Sequence, residues 1–317
     1  MSDFEKKLIS VVVPCYNEED VLMQFYDVCL NSIYELSEEL DYEIVFVDDG
    51  SKDKTLEIMR ELSKIDSNVK YISFSRNFGK EAGIYAGLSH SKGDYVVLMD
   101  ADLQHPPQYI PRMYEEIKEG KYDSVAMRRI KRSKKGRLRS FLSKTFFNMM
   151  SKLGGTDLPE GATDYRMMTR QFVDSVLSMS EYNRFTKGIF SWVGYNTLWL
   201  PYQDTERVGG TTKWSFKSLL SYSIEGMVAF STKPLLLAAI LGIITCLIAF
   251  IMMIVVVIKT LIWGDHVAGF PTLITVILLM GGLQLLVMGI LGQYFAKAYM
   301  EIKGRPIYIA KETNCEE

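Results

Sequence analysis

Short apolar runs alternate along most of this chain with stretches in which apolar residues return every three or four positions. Residues 8–13, 42–47, 69–74 and 95–99 are rich in valine, isoleucine and aromatic side chains and predict strands. Residues 18–40, 54–64, 81–89 and 108–119 carry the helical period. Strand and helix therefore take turns, which predicts an α/β fold with a Rossmann-like, mostly parallel sheet. Toward the C-terminus the pattern changes. Residues 234–258 and 270–296 hold no formal charge, and each exceeds the roughly 20 residues a helix needs to cross a bilayer. They predict a two-helix transmembrane hairpin, a better account of such length than two buried helices of a soluble domain.

Charge orients that hairpin. Lys213, Lys217 and Lys233 precede it and Lys297, Lys303, Arg305 and Lys311 follow it, whereas the connection carries Lys259, Asp265 and His266. Positive residues stay inside, so both termini and the soluble part are expected in the cytoplasm, on a plasma membrane crossed twice. Apolar residues also recur at helical spacing over 138–153 and 216–228, as amphipathic helices at a membrane surface or packed on the soluble domain would show.

Composition sharpens this picture in two places. The net charge of −2 over 317 residues hides a run, residues 128–139, with eight Lys or Arg and no acid. Such a run suits anionic lipid heads or a solvated loop; nothing calls for a nucleic-acid partner. Cys15, Cys29, Cys246 and Cys315 share no metal-ligand spacing and read as free thiols in a reducing compartment. Residues 1–8 lack the apolar core of a secretory signal.

The candidate chemistry gathers where the predicted strands end, the place at which open α/β sheets bind ligands. Pro14, Tyr16, Asn17 and Glu18 follow the first strand, Asp48, Asp49, Gly50 and Ser51 the second, Arg76, Asn77, Gly79 and Lys80 the third, and Asp100, Ala101 and Asp102 the fourth. Two carboxylates two positions apart on an extended segment share a face. They can face one hard cation, whose remaining ligands would be substrate phosphates and water. Asp48-Asp49-Gly50-Ser51 reads either as a capped strand-to-helix turn or as an acidic contact to a nucleoside. Arg76 to Lys80 is either a polar turn or a phosphate contact.

Taken together, Val13-Pro14-Cys15-Tyr16-Asn17-Glu18-Glu19, Val47-Asp48-Asp49-Gly50-Ser51, Arg76-Asn77-Phe78-Gly79-Lys80 and Asp100-Ala101-Asp102-Leu103-Gln104-His105-Pro106-Pro107 resemble the family 2 inverting glycosyltransferases of GT-A fold. Within them the chain is similar to the polyprenyl-phosphate sugar transferases, the dolichol-phosphate mannose synthase and GtrB-like group. The resemblance implies that Pro14, Tyr16, Glu18, Asp49 and Lys80 serve a nucleotide sugar, with UDP-glucose favoured. Asp100, Ala101 and Asp102 would hold its diphosphate, and Asp100, Asp102 and Gln104 a Mg²⁺ or Mn²⁺ ion. Arg128, with Arg207 and Lys213 of Arg207-Val208-Gly209-Gly210-Thr211-Thr212-Lys213, would serve phosphates of donor or acceptor, and Asp164 would stand near sugar and acceptor. A homo-oligomer, a tetramer by resemblance, is implied too.

The expected activity is transfer of one hexose to polyprenyl phosphate, undecaprenyl phosphate favoured, at the cytoplasmic leaflet. Asp164 is either a general base or a positioning group, because a phosphate monoester is largely ionised at neutral pH and needs little deprotonation. Its alternative is a structural partner for Arg166 or Arg170. A processive polysaccharide synthase would normally carry a Q-x-x-R-W motif, which Gln171 and Trp192 do not make. A non-catalytic nucleotide-sugar-binding scaffold would be expected to lose the acidic residues. The expected division is a catalytic domain over 1–212, a juxtamembrane amphipathic helix over 213–232, two transmembrane helices over 233–297 and a cytoplasmic tail over 298–317.

Overall fold

The computed structural model describes residues 6–130, 159, 161–202, 233–263 and 269–315. The chain divides into two units, Met1–Ser221 with Arg305–Glu317, and Tyr222–Gly304. The first unit is a sheet of eight described strands in the order β7-β5-β6-β4-β1-β2-β3-β8. Its strands are β1 (Lys7–Cys15), β2 (Leu40–Asp48), β3 (Val69–Phe74), β4 (Tyr95–Leu98), β5 (Ser124–Arg129), β6 (Ala162–Thr169), β7 (Thr197–Tyr202) and β8 (Ala310–Thr313). The described helices between them are α1 (Leu22–Tyr34), α2 (Thr55–Ile65), α3 (Lys80–His90), α4 (Ile110–Lys118), α5 (Arg170–Leu177) and α6 (Thr186–Trp192).

The central strands read as unbroken apolar runs because both of their faces are covered. Val11 and Val13 face a core with Phe25, Phe46, Met59 and Met113. Val12, pointing the other way, lies under α3, where a Cβ on Gly87 would come within 2.2 Å of its Cγ1. Glycine thus lets α3 lie flat on the sheet. Parallel pairing of β1 with β2, β2 with β3 and β1 with β4 makes the order reverse beside β1. A crevice at such a reversal is the usual ligand site of a doubly wound sheet.

Two expected elements come out shorter than their apolar pattern. The segment 18–40 helps form a loop, then α1, then a turn, because the Glu18 carbonyl accepts the Val21 and Leu22 N–H groups at 3.1 Å each and Leu36 begins a turn into β2. β4 stops at Leu98, so Asp100 and Asp102 stand in the turn beyond the strand and not on it. The tail also returns to the sheet, where β8 pairs antiparallel with the edge of β3.

The second unit contains α7 (Lys233–Trp263), of 31 residues, and α8 (Phe270–Ile302), of 33. Within α8, Leu279–Ile302 is long and apolar enough to cross a membrane, and the apolar stretch described in α7, Ala238–Met252, is shorter. Large apolar side chains on both helices, among them Leu247, Leu261, Leu285 and Phe295, are exposed.

Candidate functional site

Beyond the C-terminal ends of β1, β2 and β4 the loops are tied to one another by their own polar groups. Asp48 accepts the Ser51 N–H at 2.9 Å and the Ser73 hydroxyl at 2.8 Å, which closes the turn after β2. Its neighbour Asp49 is buried and accepts the Phe78 N–H at 2.6 Å and the Gly79 N–H at 2.9 Å. Burial pushes the Asp49 carboxyl above its ordinary value, against the pull of those two N–H groups. Gly50, at φ +68°, lets the two loops meet: a Cβ there would sit 2.6 Å from the Arg76 carbonyl carbon. On the β1 side, Asn17, at φ 54°, receives the Lys52 N–H on its side-chain oxygen at 2.9 Å and donates its own N–H to Ser51 at 2.9 Å. Pro14, Tyr16 and Glu18 line the same rim, half-buried.

The antiparallel pairing of β4 with β6 sets the centre of the site. Leu98, the last residue of β4, lies opposite Arg166, so the turn that follows carries Asp100 toward Asp164, two residues before Arg166 on β6. Between them stands Lys80, at the start of α3, with Nζ 2.6 Å from Asp100 Oδ1 and 3.2 Å from Asp164 Oδ2. Lys187 of α6 approaches the other Asp164 oxygen at 3.7 Å. Burial alone would raise the Asp164 pKa, but Lys187, Lys80 and Arg166 reverse this and hold the carboxyl well below the usual range. For Asp100, burial is likewise outweighed, chiefly by Lys80, and its pKa is lowered. Lys80 shows the converse: burial opposes its charge, yet Asp100 and Asp164 raise its pKa. All three groups therefore stay charged at neutral pH.

The turn after Asp100 is held under strain. Leu103 adopts φ 55°, uncommon for a residue with a branched side chain, and Asp102 Oδ1 accepts the Gln104 N–H at 3.1 Å. His105 anchors the turn from below, stacked on Tyr165 at 5.4 Å between ring centroids and edge-on to Tyr202 at 6.1 Å. Its Nδ1 has no partner, and burial lowers its pKa, so the ring is neutral at pH 7. For a hard divalent cation the residues fit: Asp100 is ionised and Asp102 follows it in the same turn, with no third His, Cys, Asp or Glu clustered with them among the described residues. Two protein carboxylates with substrate phosphates is the usual provision for Mg²⁺-like ions.

Several groups in this site carried no signal in the sequence. Glu81 receives the Thr186 N–H at 2.8 Å and the Thr186 hydroxyl, fixing the start of α6 against α3. That contact puts Lys187 beside Asp164. Arg166 is buried, its guanidinium 4.0 Å from the Phe190 ring. Asp164 forms ion pairs with Lys80 and Lys187, while Arg170 pairs with Asp174 at 3.7 Å. Arg128 is exposed on β5, opposite Ala162. Arg207 and Lys213 lie outside the described residues, as do the segments 138–153 and 216–228 and the basic run beyond residue 130.

The comparison with known proteins agrees with this architecture. The family model for glycosyl transferase family 2 matches residues 10–177, which span β1 to the end of α5. The chain is 42% identical over 309 residues to the putative glycosyltransferase CsbB of Bacillus subtilis, covering 97% of this chain and 92% of that one. It is 39% identical to the prophage bactoprenol glucosyl transferase homolog of Escherichia coli, covering 96% and 98%, and 39% identical to the bactoprenol glucosyl transferase of Shigella phage SfII, again 96% and 98%. Among solved structures, glucosyl-3-phosphoglycerate synthase from Mycobacterium tuberculosis, in complex with Mn²⁺, UDP-glucose and phosphoglyceric acid, matches 70% of this chain and 78% of that one, with 20% identity and a TM-score of 0.47. With more than half of its residues matched by the family model and nearly all of them by these relatives, the chain belongs to glycosyl transferase family 2.

Proposed function

We propose that this protein transfers one glucose from UDP-glucose to polyprenyl phosphate at the cytoplasmic face of a membrane. One observation carries the reading: similarity to bactoprenol glucosyl transferases runs the whole length of both chains, 96% of this one and 98% of the other, through both the acidic site and the apolar helices.

In the transfer, a phosphate oxygen of the acceptor attacks the anomeric carbon as the bond from that carbon to the diphosphate breaks. The diphosphate departs with the electron pair, and the anomeric configuration inverts. A divalent cation held by Asp100, Asp102 and Gln104 would neutralise charge on the leaving diphosphate. Lys80 sits within reach of that charge and locks Asp100 in place. Pro14, Tyr16, Glu18 and Asp49 form the rim for the nucleoside; Asp49 does so by fixing the Phe78–Gly79 backbone. Asp164, ionised between two ammonium groups, is a poor proton acceptor and positions the sugar and its attacker. The acceptor phosphate loses its second proton near pH 6 and needs no base at neutral pH.

A long isoprenoid gains about 0.8 kcal/mol per buried methylene from the bilayer, so the enzyme must work where the lipid lies. α7 and α8 supply that attachment as a hairpin, with Arg128, Arg207 and Lys213 serving phosphates on the cytoplasmic side. The test incubates purified protein with polyprenyl phosphate, Mg²⁺ or Mn²⁺ and a panel of nucleotide sugars, then weighs the lipid product. One added hexose from UDP-glucose is expected. No product with any donor defeats the reading, and a ladder of added sugars points to a processive synthase instead.

A further inference from the structure

Next to Asp164, a cavity of about 320 Å³ is formed by α6, β7 and Arg166 of β6. Arg166 and Lys187 supply its charge, Phe190 and Trp199 its apolar walls, and Ser191 and Thr197 its hydroxyls. Arg166 is the informative residue. The residue is 3% exposed, its Nε–H has no acceptor, and it lines an open cavity. Its guanidinium lies 4.0 Å from the Phe190 ring and 5.8 Å from that of Trp199. Such aromatic contacts fix the plane of the group while leaving its edge, the fork that binds oxyanions two-point, available.

A buried cation without a hydrogen-bonded counter-charge is costly to keep, and the cost is recovered when an anion enters. Burial lowers the Arg166 pKa to about 10, with Asp164 acting in the opposite sense, so the group is still a cation at neutral pH. Lys187 joins the two places, because the same side chain lines the cavity and approaches Asp164 at 3.7 Å.

Position tells which anion. Across the sheet the order is β4, β6, β5, β7, so Asp100, Asp164 and Trp199 follow one another from the leaving-group side outward. Displacement with inversion requires the attacking oxygen to approach the anomeric carbon opposite the departing diphosphate. With the diphosphate at Asp100 and Asp102 and the sugar at Asp164, the attacker comes from the side away from Asp100, and Lys187, which lines the cavity, contacts the Asp164 oxygen that Lys80 does not. We propose that the Arg166–Lys187 cavity is the subsite for a phosphate monoester dianion, the attacking phosphate of the acceptor. This rests on the functional reading above and adds to it residues that no sequence motif marked.

The test uses the full-length protein in lipid nanodiscs, with initial rates measured against polyprenyl phosphate and UDP-glucose in turn. For Arg166→Lys and Lys187→Gln, the KM for polyprenyl phosphate should rise about ten-fold or more, the loss of one charge-assisted hydrogen bond, while the KM for UDP-glucose moves less than about two-fold. A rise in the UDP-glucose KM with the acceptor KM unchanged overturns the assignment. Lys187 is on a partly exposed helix, so its variant keeps the test decisive where the buried Arg166→Lys fails to fold. Competition on the wild-type protein separates the sources of the phosphate. Inhibition competitive with polyprenyl phosphate by farnesyl phosphate, with none by glycerol 3-phosphate, assigns the subsite to a lipid headgroup. Equal inhibition by both assigns it to free phosphate monoesters. Inhibition competitive with UDP-glucose, or none by either compound, overturns it. Failure of the wild type to glucosylate polyprenyl phosphate removes the functional reading and this subsite together, whereas a donor-side effect with wild-type transfer intact removes the subsite alone.

Discussion

At the scale of single residues, the charges around Asp164 decide what it can do. Because Lys187 and Lys80 hold its pKa well below the ordinary carboxylate value of about 3.9, it does not change charge across the neutral range. Any stability it contributes is complete above that ordinary value and fades only as the pH falls through its lowered folded pKa. The acid limb of kcat/KM is therefore expected to follow the second ionisation of the acceptor phosphate, near pH 6. Asp164→Asn should lower the rate without moving that limb, and a limb that disappears in the variant would restore Asp164 as the base. Asp102→Asn, by contrast, is expected to cut kcat by about 10²-fold or more with the circular dichroism spectrum unchanged, since it weakens stabilisation of the departing charge. Gly50→Ala should cost about 1–3 kcal/mol in denaturant titration, because its φ of +68° and the 2.6 Å approach to Arg76 leave no room for a methyl group. The acidic residues were legible in the sequence because they sit in short motifs at strand ends. Lys187 and Glu81 were not, since each acts through a partner far along the chain that only strand register and helix packing bring close; Arg166 was legible only as a neighbour of Asp164 and His105 only as a member of its motif.

Elements separate by the same logic. β1 to β4 could be read directly because central parallel strands are apolar on both faces. β5, β6 and β7 could not: they mix Arg128 and Arg129, Asp164 and Arg166, and Pro201 with their apolar residues, since one of their faces builds the site. β8 was hidden for another reason, being four residues with an exposed pattern. What docks it is side-chain chemistry. Arg60 Nε donates to Glu312 at 2.9 Å, the Tyr71 hydroxyl donates to Glu312 at 2.7 Å, and Asn314 accepts the Tyr71 N–H at 2.6 Å while donating to the Val69 carbonyl at 3.1 Å. The ion pair is half open to water and contributes about 1 kcal/mol at most. Asn314 satisfies backbone groups at the edge of the ladder, so Asn314→Ala is expected to cost about 1–2 kcal/mol in the same titration, more than Glu312→Gln. Truncation after Pro306 should expose the β3 edge and show as concentration-dependent association in light scattering. A truncated protein that stays monodisperse and melts as before would mean that β8 guards nothing.

For the whole molecule, the path of the chain constrains its relation to the membrane. The helical unit leaves the first unit after Ser221 and rejoins it at Arg305, and residues 310–313 are strand-paired with β3. Both ends of the helical unit are thereby tied to one folded body, which lies on one side of any bilayer. A chain fastened this way crosses an even number of times. On the proposed reading, in which α7 and α8 both cross, two crossings are expected, with residue 265 on the side opposite the folded body. The positive residues outside the helices predict a folded body on the cytoplasmic side. In intact cells, a membrane-impermeant maleimide should label Asp265→Cys without permeabilisation and Lys6→Cys only after it. Cys15 and Cys29 are buried and should not react in either case. Labelling of both engineered sites from the same side would place α7 and α8 on the membrane surface instead of across it. A single crossing would require β8 to leave its pairing with β3, and the labelling experiment distinguishes the two arrangements that keep that pairing.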